Sequence, residues 1–146
     1  MTLDHVMTRS LVAVGMDDSL AHVRDLFERH AFHHLVVLEA GRPVGVVSDR
    51  DLLMNLSPFI GKASERAQDG FLLQRKVHQI MHRTLISARP ETPVKDAVIL
   101  MLANKVHCLP VIDAAGACVG IATSHDLLRY LLECGLEQGC AVHRAA

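Results

Sequence analysis

The sequence contains no tryptophan, and aromatic residues make up only 3 % of its 146 residues. This leaves little material for the aromatic platforms on which proteins stack single-stranded nucleic acid. An excess of positive charge is also lacking, because 15 Lys and Arg residues are balanced by 16 Asp and Glu residues, for a formal net charge of −1. We therefore expect neither a nucleic acid nor an acidic membrane as a partner.

Long apolar runs and paired cysteines are lacking as well. The longest apolar run, Ala97 to Ala103, is far too short to span a bilayer, and the first residues, MTLDHVMTRS, do not have the pattern of a signal peptide. We predict a cytoplasmic protein, with 50 % apolar residues to fill a core. The cysteines have no CxxC spacing, and we expect free thiols. They are Cys108, Cys118, Cys134 and Cys140.

What the sequence does contain is an internal repeat. VMTRSLVAV (6–14) matches IMHRTLISA (80–88), and at the same offset HHLVVL (33–38) matches HCLPVI (107–112). The offset then grows by one residue, which fits a turn, and EAGRPVGVVSDRDLL aligns with DAAGACVGIATSHDLL. We call the two matching segments 6–14 and 80–88 the opening segments of the repeats. A duplicated unit of this length determines the architecture.

The residue patterns of both copies predict the same order of helices and strands. A short β-rich run (11–14 and 85–88) precedes an amphipathic helical stretch, two apolar runs joined by a turn, and a last helix beginning at Asp51 or Asp126. The sequence thus predicts an α/β fold of two β-α-β-β-α units that share a core, since each unit is too small to bury its own sheet. The predicted parts are repeat 1 (1–56), a connector (57–79) whose second half forms a helix, repeat 2 (80–133) and a C-terminal tail (134–146).

One motif recurs at the start of the last helix of each copy. It reads Gly, two apolar residues, a hydroxyl residue, two polar residues and Asp, with Ser48 and Asp51 in the first copy and Thr123 and Asp126 in the second. Hydroxyl and acid at this spacing are typical of a capping box. The same groups suit a ribonucleotide, because a helix start attracts phosphate and an ionised carboxylate accepts from both ribose hydroxyls. Both interpretations remain open.

Taken together, the ordered set of motifs resembles a tandem pair of cystathionine-β-synthase (CBS) domains, a Bateman module. The resemblance covers about residues 6–56 and 80–133. It implies a regulatory module whose repeats pack through their sheets with pseudo-two-fold symmetry and bind AMP, ADP, ATP or S-adenosylmethionine in clefts between them. It also implies that Ser48 and Thr123 lie near phosphate or ribose, and that Asp51 and Asp126 hold ribose hydroxyls.

Basic groups near the motifs are the candidates for contacting a phosphate. Related modules place a basic residue before the second strand, where this chain has histidines, so phosphate binding is expected to depend on pH. Two further basic residues lie inside the motifs. These candidates are His33, His34, His107, Arg50 and His125. Arg9 and Arg83, which are equivalent between the copies, are expected either to contact phosphate or to form a repeated structural salt bridge.

A metal site is the next alternative. His30 and His34 have the i, i+4 spacing of two ligands on one helical face, but the pattern predicts that the helix ends there, and no third ligand is evident. Cys134, Cys140 and His143 in the tail match no zinc spacing. We predict no metal site and no obligatory cofactor.

Catalysis is not expected. The sequence has no Gly-x-Ser-x-Gly motif, and Cys108 and His107 are strand neighbours that should point to opposite faces. We predict a stand-alone, non-enzymatic regulator of a separate, unidentified protein. The apolar segments LLMNL and LLRYLLECGL predict a homodimer contact. A structural adaptor that binds no ligand is the alternative function.

Overall fold

The structure, a computed structural model, describes residues 1–56, 60, 62–64 and 66–137. Repeat 1 comprises β1 (Ala13–Gly15), α1 (Leu20–Arg29), β2 (His34–Glu39), β3 (Arg42–Ser48) and α2 (Asp49–Asn55). Repeat 2 comprises α4 (Val94–Asn104), β4 (Cys108–Ile112), β5 (Cys118–Thr123) and α5 (Ser124–Glu137). The connector contains α3 (Ala67–Leu72), and 3-10 turns lie at Leu3–His5 and Val77–Gln79. The predicted α/β class with two repeated units is confirmed.

The sheet of repeat 1 has the strand order β1-β2-β3. β1 runs parallel to β2, and β2 pairs with β3 in an antiparallel hairpin. The hairpin turns at Ala40 and Gly41, which have φ values of 50° and 76°, and two such residues match the twist of the flanking strands. One face of the sheet packs against α1, where Leu20 and Val23 are fully buried.

Repeat 2 lacks its predicted first strand. Segment 85–88 forms a single parallel bridge, in which Ala88 donates to the Pro110 carbonyl and accepts from the Ile112 N–H. Because the N and C=O of one strand residue face the same edge, Pro110 presents its nitrogen toward Ile86 without a hydrogen to donate. The prediction of a strand here is wrong, and the missing donor is its physical reason.

The chain divides into two compact units that exchange their opening segments. Met1–Ser10 belongs to the unit that contains most of repeat 2, whereas Leu11–Leu85, with Ala115–Cys118, forms the other unit. Met7 accordingly packs in the core of repeat 2, and the equivalent Met81 packs in the core of repeat 1. Each opening segment therefore begins in the unit of the other repeat.

No helix within the described ranges is both long enough and apolar enough to cross a bilayer.

Candidate functional site

The first motif lies at the junction between β3 and α2. Ser48 is the last residue of β3 and the N-cap of α2, and its Oγ accepts a hydrogen bond from the Asp51 N–H over 3.1 Å. Oδ2 of Asp51 accepts from the N–H and from the hydroxyl of Ser48, each over 2.8 Å. The two residues form the capping box that their spacing predicts.

The second motif repeats this geometry between β5 and α5. Oγ1 of Thr123 accepts from the Asp126 N–H over 3.2 Å, and Oδ2 of Asp126 accepts from the Thr123 N–H over 2.9 Å and from its hydroxyl over 2.7 Å. Asp126 is 5 % exposed, the only buried polar or charged residue among those that the structure describes. Both motifs thus hold one carboxylate oxygen in the same way.

The glycine of each motif allows an opening segment to approach its strand. A Cβ on Gly45 would lie 2.7 Å from the carbonyl oxygen of His82, and one on Gly120 would lie 2.8 Å from that of Thr8. At these points each opening segment exchanges two backbone hydrogen bonds of 2.9 to 3.0 Å with the residue after the glycine. Any larger residue would push the segment away from the strand.

The other carboxylate oxygen, Oδ1, has different partners in the two motifs. In the first, it lies 2.9 Å from Nε2 of His82. In the second, it accepts from the Arg129 guanidinium over 2.8 Å and from the Thr8 hydroxyl over 3.5 Å. None of these three partners was predicted from the sequence, although His82 and Thr8 occupy aligned positions of the opening segments.

The environment keeps Asp51 ionised. Burial favours the neutral acid, but the hydrogen bonds from Ser48 and His82 outweigh it and lower the pKa of this carboxyl below its ordinary value. Its side chain remains 16 % exposed. An accessible, charged acceptor is therefore present at the first motif.

His33 and His34 lie next to the residues that precede Asp51 at the β3–α2 junction. Nδ1 of the exposed His33 is 2.7 Å from Oδ2 of Asp49, whose N–H donates to the His33 carbonyl over 3.1 Å. His34, half-buried, faces Ser48 in the β2–β3 register. The ring of His33 is therefore paired with an acid at the start of α2.

Repeat 2 has no acid at the position of Asp49. Ser124 occupies it, and its N–H donates to the carbonyl of His107 over 2.9 Å. His107 is exposed, as are Arg50 and His125, which are the second residues of α2 and α5. The structure thus brings histidines to the edge of both motifs.

Arg9 and Arg83 have structural partners. Arg9 forms an ion pair with Asp4 and donates to its carbonyl over 3.2 Å. Arg83 donates over 3.4 Å to the carbonyl of the equivalent residue, His78. The expected salt bridge is thus present for Arg9, whereas the partner of Arg83 is a backbone carbonyl, and the expected phosphate contact stays a prediction.

The residues considered for a metal site do not cluster within the described part of the chain. The described residues contain no group of three or more His, Cys, Asp or Glu that could hold a metal ion. His30 stacks on Phe32 at 4.9 Å after the end of α1, and His34 lies in β2, so the two histidines do not share a helical face. Cys140 and His143 lie outside the described residues.

The described cysteines, Cys108, Cys118 and Cys134, are thiols and form no disulfide, whereas Cys140 lies outside the described part. Burial raises the pKa of the Cys108 thiol to about 12, and the neighbouring His107 is exposed. A thiol held protonated in the core is not a nucleophile.

Comparisons with known proteins agree with this architecture. The model of the CBS domain family matches residues 3–58 and again residues 77–133. A CBS domain-containing protein of Dictyostelium discoideum is 32 % identical over 130 residues, which cover 88 % of this chain and 89 % of that protein.

Solved structures resemble the whole fold. CBSX2 in complex with AMP is 29 % identical, with a TM-score of 0.74 over 91 % of this chain and 97 % of that one. A CBS domain pair in complex with 5′-methylthioadenosine and S-adenosyl-L-methionine is 21 % identical, with a TM-score of 0.75 over 91 % and 97 % of the two chains.

Proposed function

Because this chain belongs to the CBS domain family, we propose that it is a regulatory module that binds an adenosine-containing ligand and modulates a separate partner protein. Support comes from CBSX2, which is solved with AMP, and from a pair solved with 5′-methylthioadenosine and S-adenosyl-L-methionine. The ligand contacts are proposed to be the hydroxyl and carboxylate of Ser48 and Asp51, with Thr123 and Asp126 as their counterparts.

The observation that carries the proposal is the state of Asp51. Its lowered pKa keeps it ionised at neutral pH, its side chain is partly exposed, and an ionised carboxylate is an acceptor only. A vicinal ribose diol supplies two donors to such a group. The fixed orientation of the carboxylate, held by Ser48, prepares it for that contact.

The charges around the motif favour a ligand with little negative charge. Arg50 is the one arginine within either motif, whereas Asp49 adds a negative charge next to His33. We expect AMP or S-adenosylmethionine to bind more tightly than ADP or ATP. Binding of AMP should strengthen as the pH falls, since an imidazolium attracts phosphate and a neutral imidazole does not.

Exposed apolar side chains support the proposed homodimer. On α5 they are Leu128, Leu131 and Leu132, between 56 % and 67 % exposed, and on α2 they are Leu53 and Met54, 72 % and 78 % exposed. Clusters of exposed apolar residues commonly mark contacts between proteins. We propose that these helices form the dimer contact of a cytoplasmic protein.

A ligand-free structural adaptor is the second candidate, and one observation favours it: both capping boxes are complete without a ligand. Under that function the motif residues would only stabilise α2 and α5. Ligand-dependent stability separates the two candidates.

The test is a thermal-shift panel of AMP, ADP, ATP, S-adenosylmethionine and NAD at two pH values. We expect a concentration-dependent rise in Tm with at least one adenosine-containing ligand, because a ligand that binds the native state stabilises it. The Asp51→Asn variant should lose this shift. Asp69→Asn provides the control, since Asp69 likewise accepts from the N–H of the N-cap residue, Arg66, at the start of α3, and its loss should leave the shift unchanged.

Absence of a shift with every compound would contradict the sensor function and favour the adaptor. Equal shifts in the wild type and in Asp51→Asn would show that Asp51 does not contact the ligand.

A further inference from the structure

The two motifs differ one helical turn after their acids. Arg129 follows Asp126 by three residues on α5, and the equivalent residue of α2, three after Asp51, is Met54. The guanidinium of Arg129 contacts Oδ1 of Asp126 at 2.8 Å, whereas Met54 is 78 % exposed and carries no charge. This difference lies outside the repeated motif itself.

The consequence is a difference in acceptor capacity. A carboxylate offers about four lone pairs. In Asp126, the N–H and the hydroxyl of Thr123 occupy Oδ2, the Arg129 guanidinium occupies Oδ1 over 2.8 Å, and the Thr8 hydroxyl lies 3.5 Å from Oδ1. In Asp51, Oδ2 is occupied twice as well, but within the described part of the chain Oδ1 has a single partner, His82. Oδ1 of Asp51 therefore keeps an acceptor position that is more open than that of Asp126, which a guanidinium already holds.

The two partners of Oδ1, Arg129 and His82, also differ in how easily a ligand can displace them. Arg129 is always charged, and it faces a carboxylate whose side chain is only 6 % exposed, so its departure would leave a buried, less compensated charge. His82 is 70 % exposed, and the Asp51 side chain that it contacts is 16 % exposed, so the loss of this contact leaves a carboxylate that water can reach. A ligand hydroxyl can replace His82 at far lower cost than it can replace Arg129.

We propose that Arg129 closes the second motif to a ribose diol, so that each chain binds one nucleoside ligand, at Asp51. This inference rests on the proposed function and adds to it the choice between the two motifs. Arg129 is a specificity-determining residue that acts through Asp126. The number of ligands that each chain binds therefore depends on the Arg129 side chain.

The test exchanges the two equivalent residues and counts bound AMP and S-adenosylmethionine by isothermal titration calorimetry. The wild type should bind one ligand per chain, and Arg129→Met should bind two. Met54→Arg places a guanidinium three residues after Asp51, within the proposed dimer contact, and we expect at least a tenfold loss of affinity; Met54→Gln, which changes the same contact without adding a guanidinium, should keep the wild-type affinity. The double exchange should restore one ligand per chain, now sensitive to Asp126→Asn and insensitive to Asp51→Asn.

The outcomes separate this inference from the proposed function. Two ligands per wild-type chain, or unchanged binding by Met54→Arg, would overturn the role of Arg129 while leaving the sensor function in place. If Arg129→Met does not fold, as judged by circular dichroism, Met54→Arg alone decides. Absence of binding by the wild type and by every folded variant would overturn both the sensor function and the inference.

Discussion

The two strand-to-helix junctions have the same capping geometry but different accessibility. Ser48 with Asp51 and Thr123 with Asp126 repeat the same three hydrogen bonds within a few tenths of an ångström. Yet the first carboxylate, 16 % exposed, faces an exposed histidine, whereas the second, 6 % exposed, faces the guanidinium of Arg129. The comparison shows that a duplicated motif can keep the same hydrogen bonds in both copies while residues outside it change the surroundings of its acid.

The largest expected difference between the copies is in the stability of variants that lack the acid. Asp126→Ala should lower the free energy of unfolding by about 3 kcal/mol, because it removes a cap and leaves Arg129 without its buried partner. Asp51→Ala should cost about 1.5 kcal/mol, since its surroundings are more exposed. Urea unfolding measures both, and an equal cost in the two repeats would contradict the comparison.

The two motif glycines, Gly45 and Gly120, should contribute about equally to the stability of the protein. Gly45→Ala and Gly120→Ala should each cost about 2 kcal/mol, because the added Cβ meets a backbone carbonyl oxygen at 2.7 or 2.8 Å and displaces an opening segment. The same denaturant series provides the measurement. Gly15→Ala is the control, since there the new Cβ would contact only a side chain at 3.8 Å. A large cost in one repeat alone would show that the opening segments are held differently.

The pH dependence of stability should distinguish Asp51. Because its pKa is lower in the folded protein, its ionised form contributes stability at neutral pH, and this contribution is lost as the pH falls below about 4. The difference in stability between the wild type and Asp51→Asn should therefore shrink as the pH falls from 5 to 3. Urea titrations at several pH values would show it. A constant difference would mean that the carboxylate gains nothing from Ser48 and His82.

The smallest expected effect concerns the first strand of repeat 2. Pro110→Val, which introduces the residue found at the equivalent position 36, restores a donor facing Ile86 and should change stability by less than about 1 kcal/mol. Hydrogen exchange should detect slower exchange at segment 85–88. The reverse variant, Val36→Pro, removes a donor from the strand that pairs with β1 and should speed exchange there. Unchanged exchange in both variants would contradict the role assigned to the proline.

The features of this fold that the sequence predicts correctly arise from short-range patterns that occur in both repeats. The hairpin around Gly41 and the capping boxes follow from short-range patterns that occur in both copies. The partners of Oδ1 could not be predicted this way, since His82 and Thr8 reach their carboxylates from opening segments that are distant in sequence. The loss of the strand at 85–88 depends on a proline in a neighbouring strand, which a pattern within the segment cannot reveal.

We propose above that Asp51 recognises a ribose diol, and the most direct test of this contact changes the ligand and leaves the protein intact. Isothermal titration calorimetry would compare AMP with 2′,3′-dideoxyadenosine monophosphate, which lacks both hydroxyls. We expect the wild type to bind the dideoxy compound about tenfold more weakly or worse, the loss expected for hydrogen bonds to a charged acceptor. Equal affinity for the two compounds would contradict it.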